Sequence, residues 1–237
     1  LDEAVNAIIG AAYGSAGERC MAISAVVAVD EIADSLKEKL IAKIDKLKIG
    51  PGDDASNDMG PLITQEHKNK VMHYIADGVA SGAELVIDGR EHPRTNDHEG
   101  FFLGPTLFDK VSVDMKIYLE EIFGPVLVLI RIKDFAEALE MINDHRFGNG
   151  VAIFTSNGGV AREFVNKVQI GMVGINVAIP VPLSFYSFGG WKDSIYGSSN
   201  IYGMDGVRFF TKLKTITTRW PNIDESSPLD LSMPTVK

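Results

Sequence analysis

Apolar residues recur at helical spacing from the start of the chain. Val5, Ile8, Ile9 and Ala12 predict a helix over residues 2–14 that runs into a glycine-rich bend. Residues 22–29 (Ala-Ile-Ser-Ala-Val-Val-Ala-Val) are almost continuously apolar and rich in β-branched side chains, as a strand covered on both faces would be. Residues 31–48 set Ile32, Leu36, Leu40, Ile44 and Leu47 on one helical face among Lys and Glu, and Gly50-Pro51-Gly52 closes that helix. Thr64 can cap a helix over 65–80 whose inner face carries Val71, Ile75 and Val79.

Farther along, a short strand at 84–87, a polar loop at 88–100 and an extended stretch at 101–112 precede the strongest strand, residues 125–132 (Pro-Val-Leu-Val-Leu-Ile-Arg-Ile). Asp134 with Glu137 resembles a capping box for a helix over 135–143. A strand at 151–155, a helix at 159–168 and a strand at 171–177 follow. This alternation predicts an α/β fold, a mostly parallel twisted sheet flanked by helices. Segment 178–200, rich in Pro, Gly, Ser and aromatics, is long for a connection and is expected to carry function. Residues 210–219 alternate as an exposed strand does, and such an edge near a terminus is suited to pairing with another chain. Residues 221–237 read as a loose tail.

A chain of 237 residues that is 45% hydrophobic can bury one large core. Its net charge of −9 argues against nonspecific binding to nucleic acid or to an anionic membrane. No apolar run reaches the ~18 residues that span a bilayer. The five histidines (His67, His73, His92, His98 and His145) lack metal-ligand spacing, read as surface residues, and lead us to expect no metal. The start Leu-Asp-Glu-Ala-Val, acidic and without Met, reads as a cut rather than a signal peptide.

Cys20 is the single cysteine, so no intrachain disulfide can form. One thiol suits a reducing compartment, the cytoplasm or, in a eukaryote, the mitochondrial matrix. Cys20 is either a small buried apolar residue or a nucleophile. Gly14, Ser15 and Gly17 permit a tight bend before it, and Arg19 places a permanent positive charge beside the sulfur, where it favours the thiolate.

Tyr13 to Ser24, with Gly17-Glu18-Arg19-Cys20, resembles the active-site cysteine signature of the aldehyde dehydrogenase superfamily. Glu120-Glu121-Ile122-Phe123-Gly124-Pro125-Val126 is similar to that family's Glu-x-Phe-Gly-Pro motif. Asn149-Gly150-Val151-Ala152, Val173-Gly174-Ile175-Asn176 and Phe188-Gly189-Gly190-Trp191-Lys192 follow in the family's order. Arg19, Met21-Ala22, the segment 176–183 and the stretch 202–217 further resemble the CoA-acylating branch that acts on the semialdehydes of malonate and methylmalonate.

The resemblance implies covalent catalysis. Cys20 would attack the aldehyde carbon, hydride would pass to NAD, and the remaining thioester would be cleaved by coenzyme A as co-substrate. The Cys20 N–H would be one oxyanion donor. Glu121 would accept hydrogen bonds from the nicotinamide ribose, with Phe123 packed beside it; without the motif, Glu121 would read as a solvated carboxylate. Arg19 would clamp the substrate carboxylate, or else only lower the thiol pKa or pair with Glu18. Phe188 would line the substrate tunnel, or simply pack in the core.

The resemblance also divides the chain into a catalytic domain, 1–209, incomplete at its N-terminus, and an oligomerisation strand with tail, 210–237. A homo-oligomer, dimer or tetramer, is implied. The family's dinucleotide-binding domain, its asparagine oxyanion donor and its Glu-Leu-Gly-Gly base would precede Leu1. Two other readings stand beside this one: a hydrolytic NAD(P)-dependent aldehyde dehydrogenase giving a free acid, and an oligomerising half-chain without turnover.

Overall fold

The computed structural model of the chain describes residues 1–96, 100–218 and 220. The first helix, α1 (Asp2–Tyr13), buries Val5, Ile8, Ile9, Ala11, Ala12 and Tyr13. The Tyr13 hydroxyl donates to the Thr106 carbonyl at 3.0 Å, which satisfies its one polar group inside the core. A bend leads to β1 (Ala25–Val29) and α2 (Asp30–Ile44). The inner face of α2 is Ala33, Leu36, Leu40 and Ile44, while Ile32 is exposed. The helix ends before Leu47 because Lys46 and Leu47 donate back only three residues, to Lys43 and Ile44, and Ile49 then bridges to Met59.

In α3 (Gln65–Ala80) the Thr64 hydroxyl caps the first turn, accepting from the His67 N–H at 3.1 Å. Val71, Ile75 and Gly78 face inward; Val79, expected there, is exposed. Next come β2 (Glu84–Ile87), β3 (Thr106–Asp109), α4 (Lys116–Leu119) and β4 (Val126–Ile132). The main sheet has the order β1-β4-β3-β2, with β1 and β3 parallel to β4 and β2 antiparallel at the edge. Every residue of β4 except Arg131 is buried, which explains its uninterrupted apolar run.

Arg131 instead joins a charge cluster around Asp109, whose side chain is wholly buried. Arg131 grips Asp109 with two hydrogen bonds, 2.9 Å from Nε and 2.7 Å from Nη2, and Lys37 approaches at 2.9 Å. This cluster ties α2 to β3 and β4.

The remaining elements are α5 (Phe135–Asp144), β5 (Phe147–Gly148), β6 (Gly150–Ile153), α6 (Gly158–Lys167), β7 (Met172–Ile175), β8 (Trp191–Lys192) and α7 (Gly203–Phe210). Asp134 caps α5 by accepting from the Ala136 and Glu137 N–H groups, but Glu137 reaches back to the N–H of Lys133 rather than of Asp134. Strands β6 and β7 form their own parallel pair, and β5 pairs antiparallel with β8, so the later strands do not extend the main sheet. A second small core gathers Phe164, Val168 and Ile170 with Phe135, Leu139, Val151 and Val173. The α/β architecture is the one expected.

Helix α7 was not foreseen, and it takes in Phe210, the first residue of the expected edge strand. Residues 211–218 are exposed and pair with no strand among the described residues. Residues 219 and 221–237, including the expected tail, lie outside the described residues. Among the described residues no helix is long and apolar enough to cross a membrane.

Candidate active site

The bend before Cys20 is left-handed at three consecutive residues: Ser15 (φ 52°), Ala16 (53°) and Gly17 (72°). Gly14, expected to supply this freedom, has an ordinary φ of −54°. Two of the three left-handed residues carry a Cβ, at a cost of roughly 1–2 kcal/mol each. The bend is over-determined by its surroundings: Ala16 and Gly17 are buried, Glu18 N–H donates to the Ser15 carbonyl, and Ile23 N–H returns to the Ala11 carbonyl. Cys20 itself is exposed. Its N–H donates to no atom of the described residues, so one backbone donor stands open beside the thiol.

Two motifs a hundred residues apart meet at this bend. The Cα of Gly17 lies so close to the Gly124 carbonyl that a side chain could not be accommodated. A third motif meets Cys20 directly: Asn149 Nδ2 donates to the Cys20 carbonyl at 2.8 Å and contacts Met21 Sδ at 3.3 Å. Gly190 lies against Asn149 in turn. The motif residue Asn176, also left-handed (φ 57°), clamps Thr155 with both amide atoms. Lys192 donates to the carbonyls of Asn143 and His145 at 2.6 and 3.0 Å and so holds the C-terminal end of α5. Asn149, Asn176 and Lys192 had motif status in the sequence but no role; the partners that reveal their work are more than twenty residues away.

Glu121 and Phe123 flank buried Ile122, which anchors their loop, and both are exposed. Phe123 has φ 58°, left-handed and non-glycine. The Glu121 carboxylate makes no hydrogen bond or ion pair among the described residues. An exposed carboxylate with all its acceptor capacity open fits a ribose diol, which offers two hydroxyl donors.

Arg19 turns back toward α1. Its Nη2 donates to the Gly10 carbonyl, near the helix's C-terminal end, where a cation is favoured, while Nε is buried without a partner among the described residues. Nη1 makes no hydrogen bond among the described residues. The ring of Phe188 lies 5.5 Å from that of Tyr202, and no hydrogen bond or ring contact joins it to Cys20, Arg19, Glu121 or Phe123 among the described residues.

The histidines need correction. His67, His92 and His145 are half-buried rather than surface residues; His67 sits 2.6 Å from the Phe123 carbonyl and His145 3.2 Å from the Tyr118 carbonyl. His98 lies outside the described residues. Among the described residues no group of three His, Cys, Asp or Glu is placed to hold a metal.

A glycine-rich bend presenting an exposed thiol is thus joined through backbone contact to an exposed carboxylate–phenylalanine loop. Residues 1–216 match the aldehyde dehydrogenase family, and the chain belongs to it. It is 55% identical to a malonate-semialdehyde dehydrogenase of Pseudomonas aeruginosa over 93% of the chain and 45% of that relative. A solved methylmalonate-semialdehyde dehydrogenase of Oceanimonas doudoroffii superposes with a TM-score of 0.90 at 50% identity, over 93% of this chain and 46% of the other. A betaine aldehyde dehydrogenase of Staphylococcus aureus, solved with NAD+, superposes with a TM-score of 0.83 at 32% identity, over 88% of this chain and 41% of the other. The chain thus spans about half the length of the relatives it matches.

Proposed function

We propose that this chain carries the thiol chemistry of an NAD-dependent, CoA-acylating oxidation of malonate or methylmalonate semialdehyde. The observation that supports the reading most is the junction of the Cys20 bend with the Glu121–Phe123 loop, made at Gly17 and Gly124. The names of the most similar relatives favour the same substrates.

In this reading the Cys20 thiolate adds to the aldehyde carbon, and the open Cys20 N–H stabilises the resulting oxyanion. Bound NAD would supply the hydride acceptor. Glu121 would orient the ribose through its two oxygens, and Phe123 would pack beside it. Oxidation leaves an acyl thioester on Cys20 Sγ. The CoA sulfur then attacks that carbonyl, the bond to Cys20 breaks, and the thiolate is regenerated. The β-carboxylate departs as carbon dioxide, its bonding electrons passing into the thioester carbonyl as an enolate that takes up a proton. The products are acetyl-CoA or propionyl-CoA.

Arg19 would meet the substrate carboxylate through the uncommitted Nη1, and Phe188 would line the aldehyde's approach. Residues 211–218 would pair with another copy of the chain, giving a dimer or tetramer, in the cytoplasm or an organelle matrix.

The test is NADH formation from malonate semialdehyde with and without CoA, on the protein at its full natural length. Strict CoA dependence is the expected result. Turnover to a free acid without CoA would place the protein in the hydrolytic branch. Oligomers without turnover would leave the interaction reading. In the same assay Asn149→Ala is expected to lower kcat about tenfold, because the Cys20 carbonyl loses its anchor, with a stability loss near the ~1 kcal/mol of one hydrogen bond. A kcat unchanged within twofold would remove Asn149 from the nucleophile's support.

A further inference from the structure

We propose that His67 is a positioning residue: from one face of α3, with Tyr74, it holds both ends of the Glu121 loop and sets that loop in register with the Cys20 bend. The proposal rests on reading Glu121 and Phe123 as the NAD contacts.

Glu121 bonds to nothing among the described residues, so the place of its carboxylate depends on how the backbone is held on either side. On the far side, His67 Nε2 lies 2.6 Å from the Phe123 carbonyl, and the two rings meet edge-on at 6.4 Å. On the near side, the Tyr74 hydroxyl donates to Glu120 Oε2 at 2.7 Å. His67 and Tyr74 are seven residues apart, two turns of one helix, and so share a face of α3. That helix is a rigid platform, since the cap on Thr64 fixes the very N–H of His67.

The same Nε2 reaches the Cys20 bend. Glu18 Oε1 lies 3.5 Å from it, and the Glu18 side chain is only 8% exposed. Burial raises the Glu18 carboxyl above the usual carboxylate range, and His67 with the Ile63 backbone offsets only part of that rise. Nε2 thus stands between an oxygen of each loop, within hydrogen-bond distance of the Phe123 carbonyl and ion-pair distance of Glu18. Phe123 is left-handed without being glycine, a conformation that persists only where neighbours hold it; the bond to its own carbonyl is such a hold.

The variants are His67→Leu, His67→Gln and Tyr74→Phe, in the protein at its full natural length. NAD affinity is read by direct titration, and KM and kcat from NADH formation. His67→Leu is expected to weaken NAD binding and raise its KM about tenfold, with kcat within about threefold and the semialdehyde KM within about twofold, as the loss of positioning of one cofactor contact would do. His67→Gln keeps a side-chain N–H donor and should recover to within about threefold of the parent. Tyr74→Phe should weaken NAD about threefold. Unchanged NAD affinity in His67→Leu, or equal impairment in the Leu and Gln variants, overturns the proposal. Should His67→Leu fail to fold, unchanged NAD affinity in Tyr74→Phe overturns it, and weakened affinity there with recovery in His67→Gln upholds it. Parent protein that binds NAD but oxidises no semialdehyde would refute the proposed function alone, and the titrations would still decide the role of His67.

Discussion

Cys20→Ala is expected to abolish NADH formation from the semialdehyde, with kcat falling roughly 10⁴-fold or more, as when a covalent nucleophile is removed. The chain has no second thiol to substitute for it. The lesion should be chemical rather than structural. Cys20 is exposed, and the left-handed bend is held by Ala16, Gly17 and backbone bonds that the substitution leaves in place. Stability should therefore move by no more than about 0.5 kcal/mol. Alkylation of the parent protein, followed by mass spectrometry, should label Cys20 and remove activity in proportion. Residual turnover above about a tenth of the parent would rule out a Cys20 thioester.

The second large effect concerns stability. Asp109→Asn is expected to destabilise the fold by about 3–5 kcal/mol, because it leaves Lys37 and Arg131 facing a buried neutral amide. At about 2–4 °C per kcal/mol for a domain of this size, the melting temperature should fall by roughly 10 °C. Acid should have a matching effect. Burial by itself would raise the Asp109 carboxyl, but the bonds from Arg131, Lys37 and the Lys110 N–H outweigh it and hold the group well below the usual carboxylate range. A depressed carboxylate stabilises the fold fully above its unfolded value, about 3.9, and loses that contribution as the pH falls below it. Urea midpoints at pH 7 and pH 3 should therefore drop more for the parent than for Asp109→Asn. Equal drops would mean that the cluster does not couple to folding.

The elements that packing alone determines were readable from the one-dimensional pattern. The unbroken apolar run of β4 announces a central strand, and Thr64 and Asp134 announce the starts of α3 and α5 through bonds made within three residues. The errors came where a local pattern had a non-local competitor. Ile32 and Val79 have the apolarity of core residues, but the inward faces take in Ala33 and Gly78, small residues whose hydropathic signal is weaker than that of Ile or Val. Helix α7 carries no such local signal: it is only 8 residues long, has no side-chain cap, and includes Gly203 and Gly206, which weaken a helical pattern.

The same division runs through the site. Residue identities and order along the chain determined by themselves the α/β class, the lone thiol, its glycine-rich bend and the five motifs of the family. Only the tertiary structure decided what those motifs do to one another: Gly17 against Gly124, Asn149 on the Cys20 carbonyl, His67 between Glu18 and Phe123, Asp109 between Lys37 and Arg131. Helix caps and apolar periodicity are local physics and leave their mark within a few neighbours in sequence. A hydrogen bond across the fold joins residues whose separation along the chain carries no information about it, so His67 looks like any polar residue in a first helical turn until the fold brings the Phe123 carbonyl to its ring.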